Sequence, residues 1–130
     1  MGLNIDERYK KYHYEEILLI LFICSSNLNQ YSEEDLVDFS EDIEGRIEDL
    51  FEPEFLKSLD GFIETDESII RDFNELKVRL INMYDSEWHE KLRDSAINKD
   101  LTTMAAHILN KLEVSYIEPK LFKEEYLNIP

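Results

Sequence analysis

Cysteine, glycine and proline are all scarce in this chain of 130 residues, and each scarcity excludes a class of protein. The single cysteine, Cys24, forms no intrachain disulfide, which excludes a disulfide-stapled scaffold and favours a reducing compartment. With only three glycines and three prolines, the chain has few of the residues that form the turns of a many-stranded β fold. The glycine-rich loop that cradles phosphate is absent. The composition therefore favours a helical protein.

Long apolar runs are also missing, since the longest one, residues 17–24, is far shorter than a membrane-spanning helix. The first residues lack the basic start of a signal peptide, and Asp6 stands where a myristoylation motif requires serine or threonine. We therefore expect a soluble protein of the cytoplasm.

Basic residues are outnumbered, with 14 lysines and arginines against 30 aspartates and glutamates and a formal net charge of −16. Direct binding to nucleic acid requires clustered lysine and arginine, so this charge argues against it. The same charge repels anionic membranes and attracts basic proteins. A hydrophobic content of 43% indicates a folded chain despite the charge.

The acidity is concentrated in residues 32–67, which hold half of the carboxylates and a local net charge of −13. Apolar residues recur there at intervals of three and four, which predicts an amphipathic helix from a cap at Ser32 to about Glu52, ended by Pro53. Gly45 lies inside this predicted helix. Its core-facing stripe is Leu36, Phe39, Ile43, Ile47 and Leu50.

The opposite face of this predicted helix is almost entirely acidic, which suggests a surface for a cationic partner. A tyrosine precedes it, and tyrosines beside carboxylates suit a protein interface that receives lysine and arginine. The predicted partner-binding residues are Tyr31, Glu34, Asp38, Glu41, Asp42, Glu48, Asp49 and Glu52.

The remaining pattern predicts an all-α fold: a single-domain bundle of about four to five helices with an extended C-terminal tail. Its centre is a helix from about residue 5 to 25, capped by Asn4, whose second half is apolar on every side. A short helical turn is expected at 54–59. A long helix begins after Thr65 or Asp66 and extends to about residue 94, either bent near 85–86 or divided there into two helices. The last clear helix is capped by Asp100.

Catalytic and metal motifs are not found in the sequence. The three histidines, His13, His89 and His107, belong to no H-E-x-x-H or E-x-x-H motif, and His89 and Glu90 are adjacent, so they point in different directions on a helix. His13 and Glu16 are the one pair within helical reach. We therefore predict no enzyme activity, no metal and no cofactor.

Residues 31–39, Tyr-Ser-Glu-Glu-Asp-Leu-Val-Asp-Phe, resemble the acidic helix of the immunity proteins that inhibit colicin nucleases. The small, acidic and helical character of the chain resembles bacterial toxin-immunity proteins in general. The adjacent tyrosine pair of the colicin family is absent, because His13 separates Tyr12 from Tyr14.

The resemblance implies a non-enzymatic inhibitor that neutralises a cationic, nuclease-type toxin in the cytoplasm of the producing cell, as a monomer or weak homodimer. Two alternatives remain open from the residues. One is a DNA mimic or phage-type inhibitor of a nucleic-acid-binding protein. The other is a non-enzymatic adaptor subunit whose acidity is incidental.

Overall fold

An apolar helix occupies the centre of the fold. The computed structural model describes residues 5–85 and 87–125, and its first helix, α1, covers Ile5–Cys24. Each of residues 17–24 is at most 7% exposed, as expected for a helix that is apolar on all sides. This confirms the all-α prediction and the central position of residues 17–24. The predicted cap at Asn4 lies outside the described residues. No helix in the described ranges has the length and apolar content needed to cross a membrane.

The acidic segment folds as three helices instead of one: α2 (Glu33–Glu44), α3 (Ile47–Leu50) and α4 (Pro53–Ser58). Ser32 caps α2 as predicted, because its hydroxyl accepts a hydrogen bond from the N–H of Asp35 at 3.1 Å. The predicted continuous helix to about residue 52 is wrong, since α2 ends with Gly45 as its C-cap.

The break after α2 has a local cause and a tertiary one. Glycine inside a helix costs about 1 kcal/mol relative to alanine, and no basic residue in the last turn of α2 compensates the helix dipole. The next residue, Arg46, departs from helical geometry at φ −133° and extends its guanidinium to Glu16 on α1. Adjacent residues on one straight helix point in different directions, so a single apolar stripe would not bury both Leu50 and Phe51. The break after α2 allows both side chains to be buried.

Helix α5 covers Glu67–Ile81 and is shorter than the predicted helix to about residue 94. Its cap is Asp66, one of the two predicted residues, whose carboxylate accepts the N–H of Ile69 at 2.8 Å. The described chain then turns and forms a separate single-turn helix, α6, at Trp88–Lys91. Of the two predicted arrangements, the structure therefore has the divided one.

Asp85 explains why the long helix does not continue. Its carboxylate accepts the N–H of Glu87 at 2.9 Å and forms an ion pair with Lys91 at 2.7 Å. Local side-chain hydrogen bonds of this kind compete with the helical backbone pattern. Lys91 also donates to the carbonyl of Met83 at 3.3 Å, which closes the turn between α5 and α6.

Helix α7 covers Ser95–Leu112 and begins before the predicted cap at Asp100. The actual cap is Asp94, whose carboxylate accepts the N–H groups of Ala96 and Ile97, each at 3.0 Å. The prediction for Asp100 is wrong: it lies inside α7 and forms an ion pair with Arg79 of α5.

The C-terminal segment lies across α1. Residues 114–118 form no helix or strand, as predicted for an extended tail. The extended form does not continue beyond them as predicted, because the chain then forms α8 at Pro119–Glu125. Phe122 of α8 is 2% exposed and packs edge-to-face on Phe22, with ring centroids 5.0 Å apart. The final residues of the predicted tail, 126–130, lie outside the described part of the chain.

A buried asparagine fixes α7 against the loop after α1. The amide nitrogen of Asn98 donates to the carbonyl of Ser26 at 3.0 Å, and its oxygen accepts the N–H of Leu28 at 3.2 Å. Leu28 begins a short 3₁₀ turn, Leu28–Gln30, that connects α1 to α2. Because a buried polar side chain must be satisfied by partners, this contact defines how α7 sits on that loop.

Candidate functional site

One face of α2 presents three carboxylates to solvent. Glu34, Asp38 and Glu41 follow one another at intervals of four and three residues, which places them on the same side of the helix. All three are exposed, and none forms an ion pair with any residue in the described ranges. Like charges at these spacings repel by a few tenths of a kcal/mol per pair. This face of α2, hereafter the acidic face, keeps its negative charge uncompensated.

Three further predicted carboxylates lie beyond the break. Glu48 and Asp49 belong to α3, and Glu52 is the N-cap of α4. They are exposed and form no ion pair within the described chain. Because the helix is interrupted after Glu44, they do not continue the acidic face in helical register, and the predicted single stripe is divided.

The inner edge of α2 is neutralised by α8. Lys120 lies 3.2 Å from Asp35, and Lys123 lies 2.7 Å from Asp42. Asp42 is also 3.4 Å from Arg46. Burial opposes the charged form of Asp35, but the hydrogen bond and charge of Lys120 outweigh it and hold the pKa of that carboxyl below its ordinary value. Asp42, predicted as a partner-binding residue, therefore has partners within the chain.

Tyr31 is also engaged within the molecule. Its hydroxyl donates to the carboxylate of Glu118, and its ring packs edge-to-face on Phe39 with centroids 5.0 Å apart. Burial, followed by the hydrogen bond to Glu118, raises the pKa of Tyr31. Tyr31, which was predicted to bind a partner, is therefore half-buried, and its hydroxyl anchors the segment before α8.

A buried charge network lies beneath the break between α2 and α3. The Glu16 side chain is 8% exposed; it accepts from His13 Nδ1 at 2.6 Å and pairs with Arg46 Nε at 2.8 Å. The contact between His13 and Glu16 was predicted from their spacing, whereas the contact to Arg46 was not. His13 Nε2 is buried and has no hydrogen-bond partner in the described part of the chain. The His13 ring packs edge-to-face on Phe55, with ring centroids 5.4 Å apart. The network joins α1 to the point where α2 ends.

An aromatic pair, Tyr84 and Trp88, lies beside the C-terminal end of α2. Trp88 is 3% exposed, donates to Glu44 at 3.4 Å and packs against Tyr84 with ring centroids 4.9 Å apart. Burial, together with the negative charges of Glu44 and Glu48, raises the pKa of Tyr84. Trp88 therefore belongs to the buried core, and the partly buried ring of Tyr84 packs against that core.

The single cysteine lies in the core and not in a site. Cys24 is 1% exposed, and burial raises the pKa of its thiol to about 12. A thiol that is protonated and inaccessible at neutral pH is a poor nucleophile.

Comparison of the chain with models of protein families, with curated protein sequences and with solved structures finds no match.

Proposed function

We propose that this protein is an inhibitory binding protein: an immunity protein that neutralises a cationic, nuclease-type toxin through the acidic face. The observation that supports the proposal is the exposure of Glu34, Asp38 and Glu41 without any compensating cation in the described chain. The chain's own cations reach the neighbouring residues Asp35 and Asp42 but not these three.

The distribution of the ion pairs strengthens this reasoning. Cationic side chains elsewhere in the molecule pair with carboxylates on other elements: Lys10 with Asp60, Arg79 with Asp100, Lys91 with Asp85, and Lys111 with Asp72. The acidic face thus stays available to lysine and arginine from another molecule.

The chemistry of a nuclease fits such a face. A nuclease binds phosphates with clustered lysine and arginine, and an acidic surface of matching shape covers that cluster. Long-range attraction between the two surfaces accelerates encounter, and a few desolvated contacts at the centre determine how slowly the complex dissociates. Tyr31 and Asp42 lie at the edge of this surface. Since they already have partners, they contribute less than Glu34, Asp38 and Glu41.

Charge reversal tests the proposal. In the double variant Asp38→Lys/Glu41→Lys both substitutions are on exposed positions of the acidic face, so we expect stability to change by no more than about 0.5 kcal/mol. The matched control is Glu64→Lys/Glu75→Lys, which makes the same change of charge on exposed positions outside α2 and α3.

The measurement has two stages. The wild-type protein is used to capture its partner from the source cell, and the purified partner is then tested for nuclease activity and for inhibition. We expect the acidic-face variant to lose affinity by about 100-fold, because reversed charges at a complementary interface cost several kcal/mol. The control variant should inhibit like the wild type. Equal inhibition by both variants, or a captured partner without a basic active-site surface, would contradict the proposal.

A further inference from the structure

A histidine and two glutamates from distant parts of the chain meet at the start of α2. Glu33 is the first residue of α2, whereas His89 and Glu90 belong to α6. One potential ligand atom from each residue, a ring nitrogen and two carboxylate oxygens, lies within 4.8 Å of the others. His89 Nε2 is 3.6 Å from Glu33 Oε1. The prediction that the adjacent residues His89 and Glu90 point in different directions is therefore wrong for their ligand atoms, which both reach the same point beside Glu33 of another helix.

We propose that Glu33, His89 and Glu90 form a binding site for a divalent transition metal of the zinc class. Zinc accepts imidazole nitrogen at about 2.0–2.1 Å and carboxylate oxygen at about 2.0–2.2 Å, so ligand atoms around a tetrahedral ion lie roughly 3.4 Å apart. The 3.6 Å distance between His89 and Glu33 already matches that spacing. Both glutamates are exposed, so a rotation of their side chains brings the remaining oxygen into range.

The charges around the three residues favour a cation. Neither Glu33 nor Glu90 forms an ion pair with a lysine or arginine in the described part of the chain, and their two carboxylates converge on one imidazole. The separation of 3.6 Å between His89 and Glu33 exceeds a hydrogen bond, so the direct contact leaves the carboxylate without a close donor. The dipole at the start of α2 opposes a cation only weakly, and the two carboxylate ligands outweigh it.

Helix α6 positions the imidazole beside the start of α2. His89 is 18% exposed, and its neighbour Trp88 is buried and donates to Glu44 at the far end of α2. Helix α6 thus contacts both ends of α2, which places His89 next to Glu33 before any ligand binds. A ligand group that is already positioned loses less conformational freedom on metal binding.

The ligand set selects among metals. Calcium and magnesium prefer sites built only from oxygen ligands, whereas an imidazole with two carboxylates suits zinc and its neighbours in the transition series. Three protein ligands leave a further position for water. A bound ion would connect α6 to the first turn of α2, beside the acidic face. This inference does not depend on the proposed inhibitory function.

Zinc titration of the full chain, freed of metal with a chelator, tests the site. We expect one Zn²⁺ per chain by calorimetry, a higher Tm with Zn²⁺ than with chelator, and the visible absorption of a low-symmetry site when Co²⁺ replaces Zn²⁺. The variant His89→Ala should weaken binding by at least about tenfold, since even residues outside the ligand set cost that much at metal sites. Glu33→Gln/Glu90→Gln should do the same.

His107→Ala is the matched control, because His107 Nε2 also lies 3.4 Å from a carboxylate, that of Asp72, but Lys111 already pairs with the same group. This variant should bind Zn²⁺ like the wild type. Should His89→Ala not fold, the exposed double variant Glu33→Gln/Glu90→Gln decides. Zinc affinity that is unchanged in the ligand variants, or equal to that for Ca²⁺, would overturn the proposal.

Discussion

The ion pair between Glu16 and Arg46 should be a main support of the junction between α1, α2 and α3. Replacing Arg46 by alanine leaves the carboxylate of Glu16, a side chain only 8% exposed, with the His13 ring as its remaining partner in the described part of the chain. A buried charge without its partner is unfavourable, because water cannot replace the lost interaction fully. Arg46→Ala therefore tests whether this tertiary contact helps to stabilise the break after α2.

The expected magnitude follows from the burial of the two partners. Removing one member of a fully buried pair costs about 3–5 kcal/mol. Because Arg46 is 37% exposed and His13 stays in contact with Glu16, we expect about 2 kcal/mol instead. For a chain of 130 residues, this corresponds to a decrease in Tm of about 7 °C.

A double-mutant cycle isolates the contact. Free energies of unfolding in urea are compared for wild type, Arg46→Ala, Glu16→Gln and the double variant, with Arg71→Ala as the control because Arg71 is exposed and forms no ion pair in the described ranges. The double variant should be more stable than the sum of the single changes predicts, by about 1 kcal/mol. Additive changes, or a loss for Arg46→Ala no larger than that for Arg71→Ala, would refute the reasoning.

Two further predictions concern the C-terminal segment. Phe122→Ala should lower the free energy of unfolding by about 3–5 kcal/mol and expose α8 to proteolysis, because Phe122 is 2% exposed and packs on α1. A loss of stability below about 1 kcal/mol would contradict the packing of α8 on α1 through Phe122. Burial opposes ionisation of Glu118, but hydrogen bonds from Tyr31 and from backbone N–H groups outweigh it and hold its pKa below the ordinary value of 4.5. Its contribution to stability is therefore present above pH 4.5 and lost as the pH falls through the lowered pKa, so Glu118→Gln should flatten the acid side of the stability profile measured by urea unfolding. An unchanged acid slope in this variant would argue against the contact.

Local signals in the sequence predicted the caps and the core where each depends on residues close in the chain. Ser32 caps α2 and Asp66 caps α5 because a side-chain oxygen three residues before an N–H is within reach in any helix that starts there. The predicted cap of the last helix, Asp100, was wrong, because Asp94 caps α7 six residues earlier. Asp94 and Asp100 are equally good caps locally, and the pairing of Asp100 with Arg79 is a contact between helices that spacing does not encode.

The candidate site was predicted in part for the same reason. Helical spacing placed Glu34, Asp38 and Glu41 on one face, and the structure has them there. It could not reveal that Lys123, far away in the chain, neutralises Asp42, or that the helix would stop before Glu48.

By itself the sequence determined the helical class, the buried centre at residues 17–24 and the excess of negative charge in one third of the chain, because periodicity and composition depend on near neighbours. Only the tertiary structure decided which carboxylates are compensated, where the acidic helix breaks, and that His89 meets Glu33. Those outcomes depend on which side chains from distant segments come within a few ångströms of each other. Burial and ion pairing set these distances, and no local pattern records them.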